Sequence, residues 1–249
     1  MANKATSLLN QLQLTGLSRL IPSRCAVCGR WPSRGICEPC YGLYQKLVPR
    51  CKHCAIELPV QNTLQVCGQC LHTPFTFDNA VAAVSYVEPW SVMIQQFKFY
   101  KHSEKAHSMA LLLYQRIMQS GLPMPDLLIP IPNARNRMQE RGYNQAWEIT
   151  KKLGKRLNIN TAPFALMRAA EASSQTQRKR NERFKALKNA FSLNAKYHAT
   201  LKDKHIALID DVMTTGATLE SAAKTLKQAG VGQINVWVFA RTPQERHQR

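Results

Sequence analysis

Short apolar runs recur along the chain after residue 77, each with the length of a buried strand. They are residues 80–87 (AVAAVSYV), 126–131 (DLLIPI), 205–209 (HIALI) and 234–240 (INVWVFA). Pro130 and Pro132 end the second run, because proline lacks the N–H group that a strand interior needs. Runs that are apolar throughout are typical of parallel strands covered on both faces.

Helical patterns separate these predicted strands. Three helices are predicted. One has an apolar face formed by Met109, Ala110, Leu113 and Ile117, and the other two span residues 144–157 and 218–229. Gly230 directly follows the last of these helices, at the position where glycine commonly ends a helix. Residues 205–240 therefore contain a strand, a helix and a strand, which is a βαβ unit. We expect an α/β domain with a mostly parallel sheet flanked by helices.

All eight cysteines precede this region, in four C-x-x-C pairs. The pairs are Cys25/Cys28, Cys37/Cys40, Cys51/Cys54 and Cys67/Cys70, separated by 8, 10 and 12 residues. Two C-x-x-C turns supply the four thiolates that tetrahedral zinc prefers, so the spacing predicts two structural zinc sites. Sequential pairing follows the chain order, and a cross-braced pairing fits the spacing too. Disulfides and a redox-active C-x-x-C are the alternatives, but without a secretory signal we expect a reducing compartment.

Composition adds a strongly basic surface. The chain has 249 residues, with 34 Lys and Arg against 15 Asp and Glu, a formal net charge of +19. This length predicts one or two domains, and the cysteines suggest a double zinc ribbon at residues 21–74 before an α/β domain at 77–242. No apolar run approaches the roughly 18 residues of a membrane span. We therefore expect a soluble, cytoplasmic protein without membrane insertion.

The most informative segment is residues 206–220, IALIDDVMTTGATLE. An apolar run brings Asp210 and Asp211 to the carboxyl end of a predicted strand, where open α/β sheets bind ligands. The following loop, which we call the phosphate loop, consists of Thr214, Thr215, Gly216, Ala217 and Thr218. Unpaired N–H groups at the start of the next helix and the threonine hydroxyls suit an anion. Two carboxylates beside it need another partner, such as a sugar diol or Mg²⁺.

This segment resembles the signature of type I phosphoribosyltransferases. The resemblance implies that Asp210 and Asp211 hold the ribose hydroxyls of phosphoribosyl pyrophosphate, as the catalytic residues, and that the phosphate loop holds its 5′-phosphate. Mg²⁺ would accompany the substrate. Adjacent residues of a regular strand point to opposite faces, so the two carboxylates converge only if the chain turns between them.

The whole chain resembles the competence protein F (ComF) family. The resemblance rests on the paired cysteines, QQFKFYKH (95–102), LIPIPNARNRMQERGYNQA (128–146), QTQRKRNER (175–183) and NAF (189–191). It implies a pyrophosphate loop at the PIP segment, a flexible loop at residues 168–191, and a role in DNA uptake with single-stranded DNA and a competence helicase as partners. The asparagine usual after the E-R pair is replaced by Ala186.

Basic residues concentrate around these motifs. Residues 135–188 contain 14 Lys and Arg against four Glu. We expect Arg135, Arg137, Arg141 and Lys98 to provide the anion contacts to pyrophosphate. Phe97 and Phe99 alternate with lysines, which suits stacking of single-stranded bases. The alternative is that both rings are buried by strand alternation.

Three functions remain open at this stage. The first is a DNA-uptake protein that binds single strands and phosphoribosyl pyrophosphate. The second is a metabolic phosphoribosyltransferase with an unknown acceptor, and the third is a non-catalytic partner of a helicase that docks through its zinc ribbons. A fold and a ligand site do not by themselves establish a reaction.

Overall fold

The computed structural model describes residues 23–33, 35–61, 64–99, 103–168 and 190–243. By contacts the chain divides into two compact units, Met1–Lys46 and Leu47–Arg249. Cys25, Cys28, Cys37 and Cys40 belong to the first unit. The other four cysteines belong to the second unit, together with the sheet. The division at residues 21–74 and 77–242 stays a proposal about domains.

The described residues form short helices and strands in alternation. The helices are α1 (Glu38–Tyr44), α2 (Gly68–His72), α3 (Trp90–Phe99), α4 (Lys105–Ser120), α5 (Arg135–Arg141), α6 (Gln145–Leu157), α7 (His198–Leu201) and α8 (Ala217–Gln228). The strands are β1 (Asn79–Ser85), β2 (Leu127–Pro130), β3 (Asn160–Thr161), β4 (Leu166–Arg168), β5 (Phe191–Leu193), β6 (His205–Met213) and β7 (Gln233–Arg241). None of these helices is long and apolar enough to cross a membrane.

Within the described residues, five parallel strands form one sheet in the order β1-β7-β6-β2-β3, and β4 pairs antiparallel with β5. The connection from β2 to β3 and the connection from β6 to β7 leave the centre of the sheet in opposite directions. Right-handed crossovers of this kind place their helices on opposite faces. The predicted mostly parallel sheet flanked by helices is confirmed.

The strand order reverses between β2 and β6. These strands are directly paired, with Pro130 opposite Ile209. In open α/β sheets, ligands bind outside the carboxyl ends of strands at such a reversal. The topology therefore points to the chain just after Pro130 and Ile209, where the PIP and acidic segments lie.

The core of the second unit includes its cysteines. Cys51 and Cys54 are buried in the same apolar cluster as Phe77, Ile129 and Val236. The β6 and β7 runs are buried nearly throughout, as expected for strands covered on both faces. The second cysteine group is thus built into the sheet's own core.

The alternative in which strand alternation buries both Phe97 and Phe99 is wrong. Both belong to helix α3, where residues two apart lie about 200° apart around the axis. Phe97 is fully buried, whereas Phe99 is 65% exposed. Only one of the two rings is therefore core.

Candidate ligand site at the carboxyl edge of the sheet

The acidic pair lies in the carboxyl half of β6, beside the strand reversal. Asp211 is buried and Asp210 is half-buried. The strand continues through both residues without a turn, yet their carboxyl groups interact, because Asp211 acts on Asp210 through its charge and through a side-chain hydrogen bond. The main-chain N–H of Asp211 also donates to Oδ1 of Asp210 at 2.8 Å. The two carboxyl groups thus lie close together although the chain does not turn between the residues.

The surroundings of this pair change the pKa of one carboxyl group and place a cation beside the other. Burial, and then the neighbouring charge of Asp211, raises the pKa of Asp210 to about 8. Lys98, in the last turn of α3, places Nζ 3.0 Å from Oδ2 of Asp211. The pair therefore combines one carboxyl group that keeps its proton to a higher pH than usual with one that lies beside a cation. The anion contact expected of Lys98 stays a prediction, because its described partner is a carboxylate.

The phosphate loop follows β6 and leads into α8, a helix of 12 residues. Gly216 precedes this helix with φ 84°, in the left-handed region that favours glycine. A Cβ there would lie 2.7 Å from Cε of Met213 and 3.0 Å from two ring carbons of Phe75. The loop therefore requires glycine at this position on two independent grounds, its backbone angle and its packing.

The contacts of Glu220 fix the start of α8. The carboxylate of Glu220 accepts from the N–H of Thr76 at 2.8 Å and from its hydroxyl at 2.7 Å. Lys224 also lies 3.0 Å from this carboxylate. Glu220 is thus engaged by its neighbours, and this limits its repulsion of an anion at the helix N-terminus.

Arg241 is a residue that sequence reasoning missed. It ends β7 and is buried, and its guanidinium donates to the carbonyls of Met213 at 3.2 Å and of Thr214. Its Nε donates to the carbonyl of Cys54 at 2.9 Å. A basic residue after an apolar strand is common, so the sequence offered no signal of these contacts.

The other predicted basic residues are partly described. Arg141 lies over the ring of Phe99, with its Cζ 5.2 Å from the centroid, and donates to Oε1 of Gln145 at 3.3 Å. Arg135 and Arg137 lie in α5, and their side chains fall outside the described residues. The predicted flexible loop lies outside them as well, at residues 169–189. Pyrophosphate binding by this set stays a prediction.

The eight cysteines form two groups of four, and all are free. The first cysteine group is Cys25, Cys28, Cys37 and Cys40, and the second is Cys51, Cys54, Cys67 and Cys70. Within each group the sulfur atoms lie within 4.8 Å of one another. The pairing is therefore sequential, and the cross-braced alternative is not what the structure shows.

The geometry of both groups fits zinc. Sγ of Cys28 lies 3.7 Å from Sγ of Cys37, and Sγ of Cys54 lies 3.6 Å from Sγ of Cys67. A tetrahedral ion with bonds of about 2.3 Å places its sulfurs about 3.8 Å apart. Within the second group, the hydrogen bond between Cys51 and Cys54 lowers the pKa of Cys51 to about 4 and raises the pKa of Cys54. Each group could hold one zinc ion.

A comparison with protein families assigns the class of the α/β domain. Residues 141–249 match the phosphoribosyl transferase domain family. Among solved structures, glutamine phosphoribosylpyrophosphate amidotransferase from B. subtilis is 13% identical with a TM-score of 0.40, over 58% of this chain and 30% of that one. The chain thus spans less than a third of that enzyme. The family match thus assigns a phosphoribosyltransferase-type domain to residues 141–249.

Curated relatives extend over most of the chain. Competence protein F of Haemophilus influenzae is 36% identical, over 83% of this chain and 90% of its own length. DNA utilization protein YhgH of Salmonella typhi is 30% identical, over 89% of this chain and 98% of its own. The chain belongs to the competence protein F family.

Proposed function

We propose that this protein acts in DNA uptake, binding single-stranded DNA and holding phosphoribosyl pyrophosphate with Mg²⁺ at the carboxyl edge of its sheet. The observation that carries the proposal is the placement of the acidic pair on β6 and of the phosphate loop directly after this strand, at the strand reversal. The relatives' names, competence protein and DNA utilization protein, support the DNA role.

The described residues suit a phosphorylated pentose. Main-chain amides at the start of α8 would bind the 5′-phosphate, with Gly216 allowing close approach. The carboxyl group of Asp210, whose raised pKa keeps its proton on to a higher pH, can donate, and the carboxyl oxygens of the pair can accept; this matches a diol whose hydroxyls do both. The two carboxyl groups also supply the oxygen ligands that Mg²⁺ prefers.

Binding is tested by calorimetric titration of the zinc-loaded protein with phosphoribosyl pyrophosphate and Mg²⁺. We expect about one site per chain in the wild type and at least tenfold weaker binding in Gly216→Ala, because its Cβ enters the space of Met213 and Phe75. The same titration with ribose 5-phosphate, which lacks the pyrophosphate group, measures the contacts to the ribose and the 5′-phosphate alone. No heat with a folded, zinc-loaded wild type would refute the ligand.

Phosphoribosyl transfer is a second candidate, favoured by the match to the phosphoribosyl transferase domain family. In that reaction the bond from ribose C1 to pyrophosphate breaks, an acceptor atom bonds to C1, and pyrophosphate leaves with its electron pair. The carboxyl groups of Asp210 and Asp211 would disperse the positive charge that grows on the sugar. Pyrophosphate release that depends on an acceptor and disappears in Asp210→Asn supports turnover; equal release by both proteins rejects it.

Single-strand binding has a candidate surface at the end of α3. The Phe99 ring is exposed and carries the Arg141 guanidinium on its face. Exposed aromatic rings beside cations bind single strands by stacking and by phosphate contact. We include Phe99 and Arg141 in the proposed DNA surface.

A helicase partner and a cytoplasmic location complete the proposal. If the ribbons are the docking surface, Cys37→Ser in the first cysteine group should abolish capture of a competence helicase while the sheet, which lies in the second unit, keeps its native circular dichroism. Retained capture by a Cys37→Ser protein that has lost one zinc ion would exclude the first ribbon from docking.

A further inference from the structure

Arg241 joins two parts of the second unit that are far apart in sequence. Its side chain is 7% exposed and extends from the carboxyl end of β7. On one side Nε donates to the carbonyl of Cys54, at 2.9 Å. On the other, Nη1 donates to the carbonyls of Met213 and Thr214, and Nη1 also donates to the carbonyl of Thr242. A single guanidinium thus contacts the second cysteine group and the entrance of the phosphate loop.

The chemistry of this side chain makes the link rigid. A guanidinium is planar and holds its N–H donors in a fixed fork, so the carbonyls it contacts are fixed relative to each other. A buried charge that loses hydrogen bonds is strongly destabilised. If the carbonyl of Cys54 moves, Arg241 must move with it or lose an acceptor. Either result releases the carbonyls of Met213 and Thr214.

Further contacts on the same side support the link. Phe75 comes soon after Cys70 in the chain, stacks on Phe77 with ring centroids 4.6 Å apart, and packs against Gly216. Thr76 bonds Glu220 in the first turn of α8. The segment that follows the second cysteine group therefore lies directly against the phosphate loop.

We propose that Arg241 is a positioning residue that makes the order of the phosphate loop depend on the metal in the second cysteine group. With metal bound, the turn at Cys54 is fixed and Arg241 holds the loop ready for a phosphate. Loss of that metal loosens the loop and weakens phosphoribosyl pyrophosphate binding. The affinity part of this inference rests on the proposed function, whereas the loop-order part does not.

The chain offers a matched pair of variants for the metal. Cys67→Ser removes a ligand from the second group and Cys37→Ser the corresponding ligand from the first, and both side chains are partly exposed. We expect Cys67→Ser to speed hydrogen exchange in residues 213–218 and to weaken ligand binding, each by about tenfold, the effect of losing a hydrogen bond to a charged group. Cys37→Ser should change neither.

Variants of Arg241 test the route itself while both metal ions stay bound. Arg241→Lys keeps the charge but cannot reach both sides with a planar fork, and Arg241→Gln removes the charge. Both should retain about two zinc ions by mass spectrometry and show the same faster exchange in residues 213–218, with helix α4 unchanged. Adding Cys67→Ser to Arg241→Gln should add little to the loop exchange.

The outcomes separate this inference from the proposed function. Wild-type loop exchange in zinc-loaded Arg241→Gln overturns the inference, as does a Cys67→Ser effect of the same size with and without Arg241. If the Cys67→Ser chain unfolds, the Arg241 variants decide the question alone. If exchange behaves as expected but the wild type binds no phosphoribosyl pyrophosphate, the proposed ligand fails and the coupling stands.

Discussion

At the scale of single residues, Gly216 is the position where backbone angle and packing can be separated by mutation. Gly216→Ala places a methyl group against Met213 and Phe75 at φ 84°, so we expect a loss of about 2–4 kcal/mol in the free energy of unfolding. Gly121 is the matched control, with φ 66° and nothing within 4 Å of an added Cβ. Gly121→Ala should cost only about 1 kcal/mol. Equal losses by urea unfolding would contradict the packing of the loop.

Asp210 should leave a signature in the pH dependence of stability. Its pKa is about 8 in the folded chain and near 4 when unfolded, so the folded state binds the extra proton and its stabilising effect is lost as pH rises toward 8. Asp210→Asn removes this effect. Relative to wild type, the variant should gain about 2 kcal/mol in unfolding free energy between pH 6 and pH 8.

The comparison of two chains cancels the titration of the zinc ligands, which both share. Urea unfolding at intervals across that pH range measures the difference. A difference between the two proteins that is flat from pH 6 to pH 8 would show that Asp210 keeps an ordinary carboxyl pKa.

Residue types with a strong local pattern could be placed from the sequence. Asp210, Asp211 and Gly216 lie at the strand end and helix start where their spacing predicted them. The partners of Lys98 and Arg241 could not be predicted, because Asp211 and the carbonyls of Cys54 and Thr214 are more than 25 residues away from them along the chain. Pairing over such distances depends on the strand order, which a single sequence does not reveal.

At the scale of elements, long apolar runs gave better predictions than short mixed ones. The helix predicted at 218–229 is Ala217–Gln228, and the strand predicted at 234–240 is Gln233–Arg241. The strand alternative for Phe97 and Phe99 rested on the alternation of aromatics and lysines, whereas the preceding turn of α3 buries Trp90, Met93 and Ile94 at helical spacing. The helical spacing of the buried side chains was therefore the correct signal for this segment.

The first cysteine group provides a prediction about one element. Apart from two of its cysteines, the described part of the first unit buries few side chains, so we expect its folding to depend on metal. Cys37→Ser should lose about one zinc ion and all slow hydrogen exchange in residues 23–46. Exchange in β6 and β7 should remain as in the wild type. Persistent protection in residues 23–46 of the metal-depleted variant would show that this unit folds without zinc.

At the scale of the whole molecule, the net charge of +19 predicts how DNA binding responds to salt. Counterion release gives single strands a log–log slope of about −0.7 per phosphate contact, so we expect a slope of at least about −3 between 50 and 200 mM salt. Arg141→Gln should reduce this slope by about 0.7, because one phosphate contact is lost. Phe99→Ala should weaken binding by about 1–3 kcal/mol without changing the slope.

Fluorescence anisotropy with a labelled oligonucleotide measures both effects. Duplex of the same length is the control for a general attraction to phosphate. Binding that is absent at low salt, or identical for both variants and wild type, would exclude the α3 surface from DNA binding.

The central claim is that the carboxyl edge of the sheet holds a phosphorylated pentose, and amide chemical shifts locate that contact most directly. The zinc-loaded, ¹⁵N-labelled chain is titrated with phosphoribosyl pyrophosphate and Mg²⁺. We predict saturable shifts at residues 210–211 and 214–218. We predict none at residues 151–161, which comprise the C-terminal half of α6 and the strand β3 that follows it. Unchanged amides in the phosphate loop at saturating ligand would contradict the account.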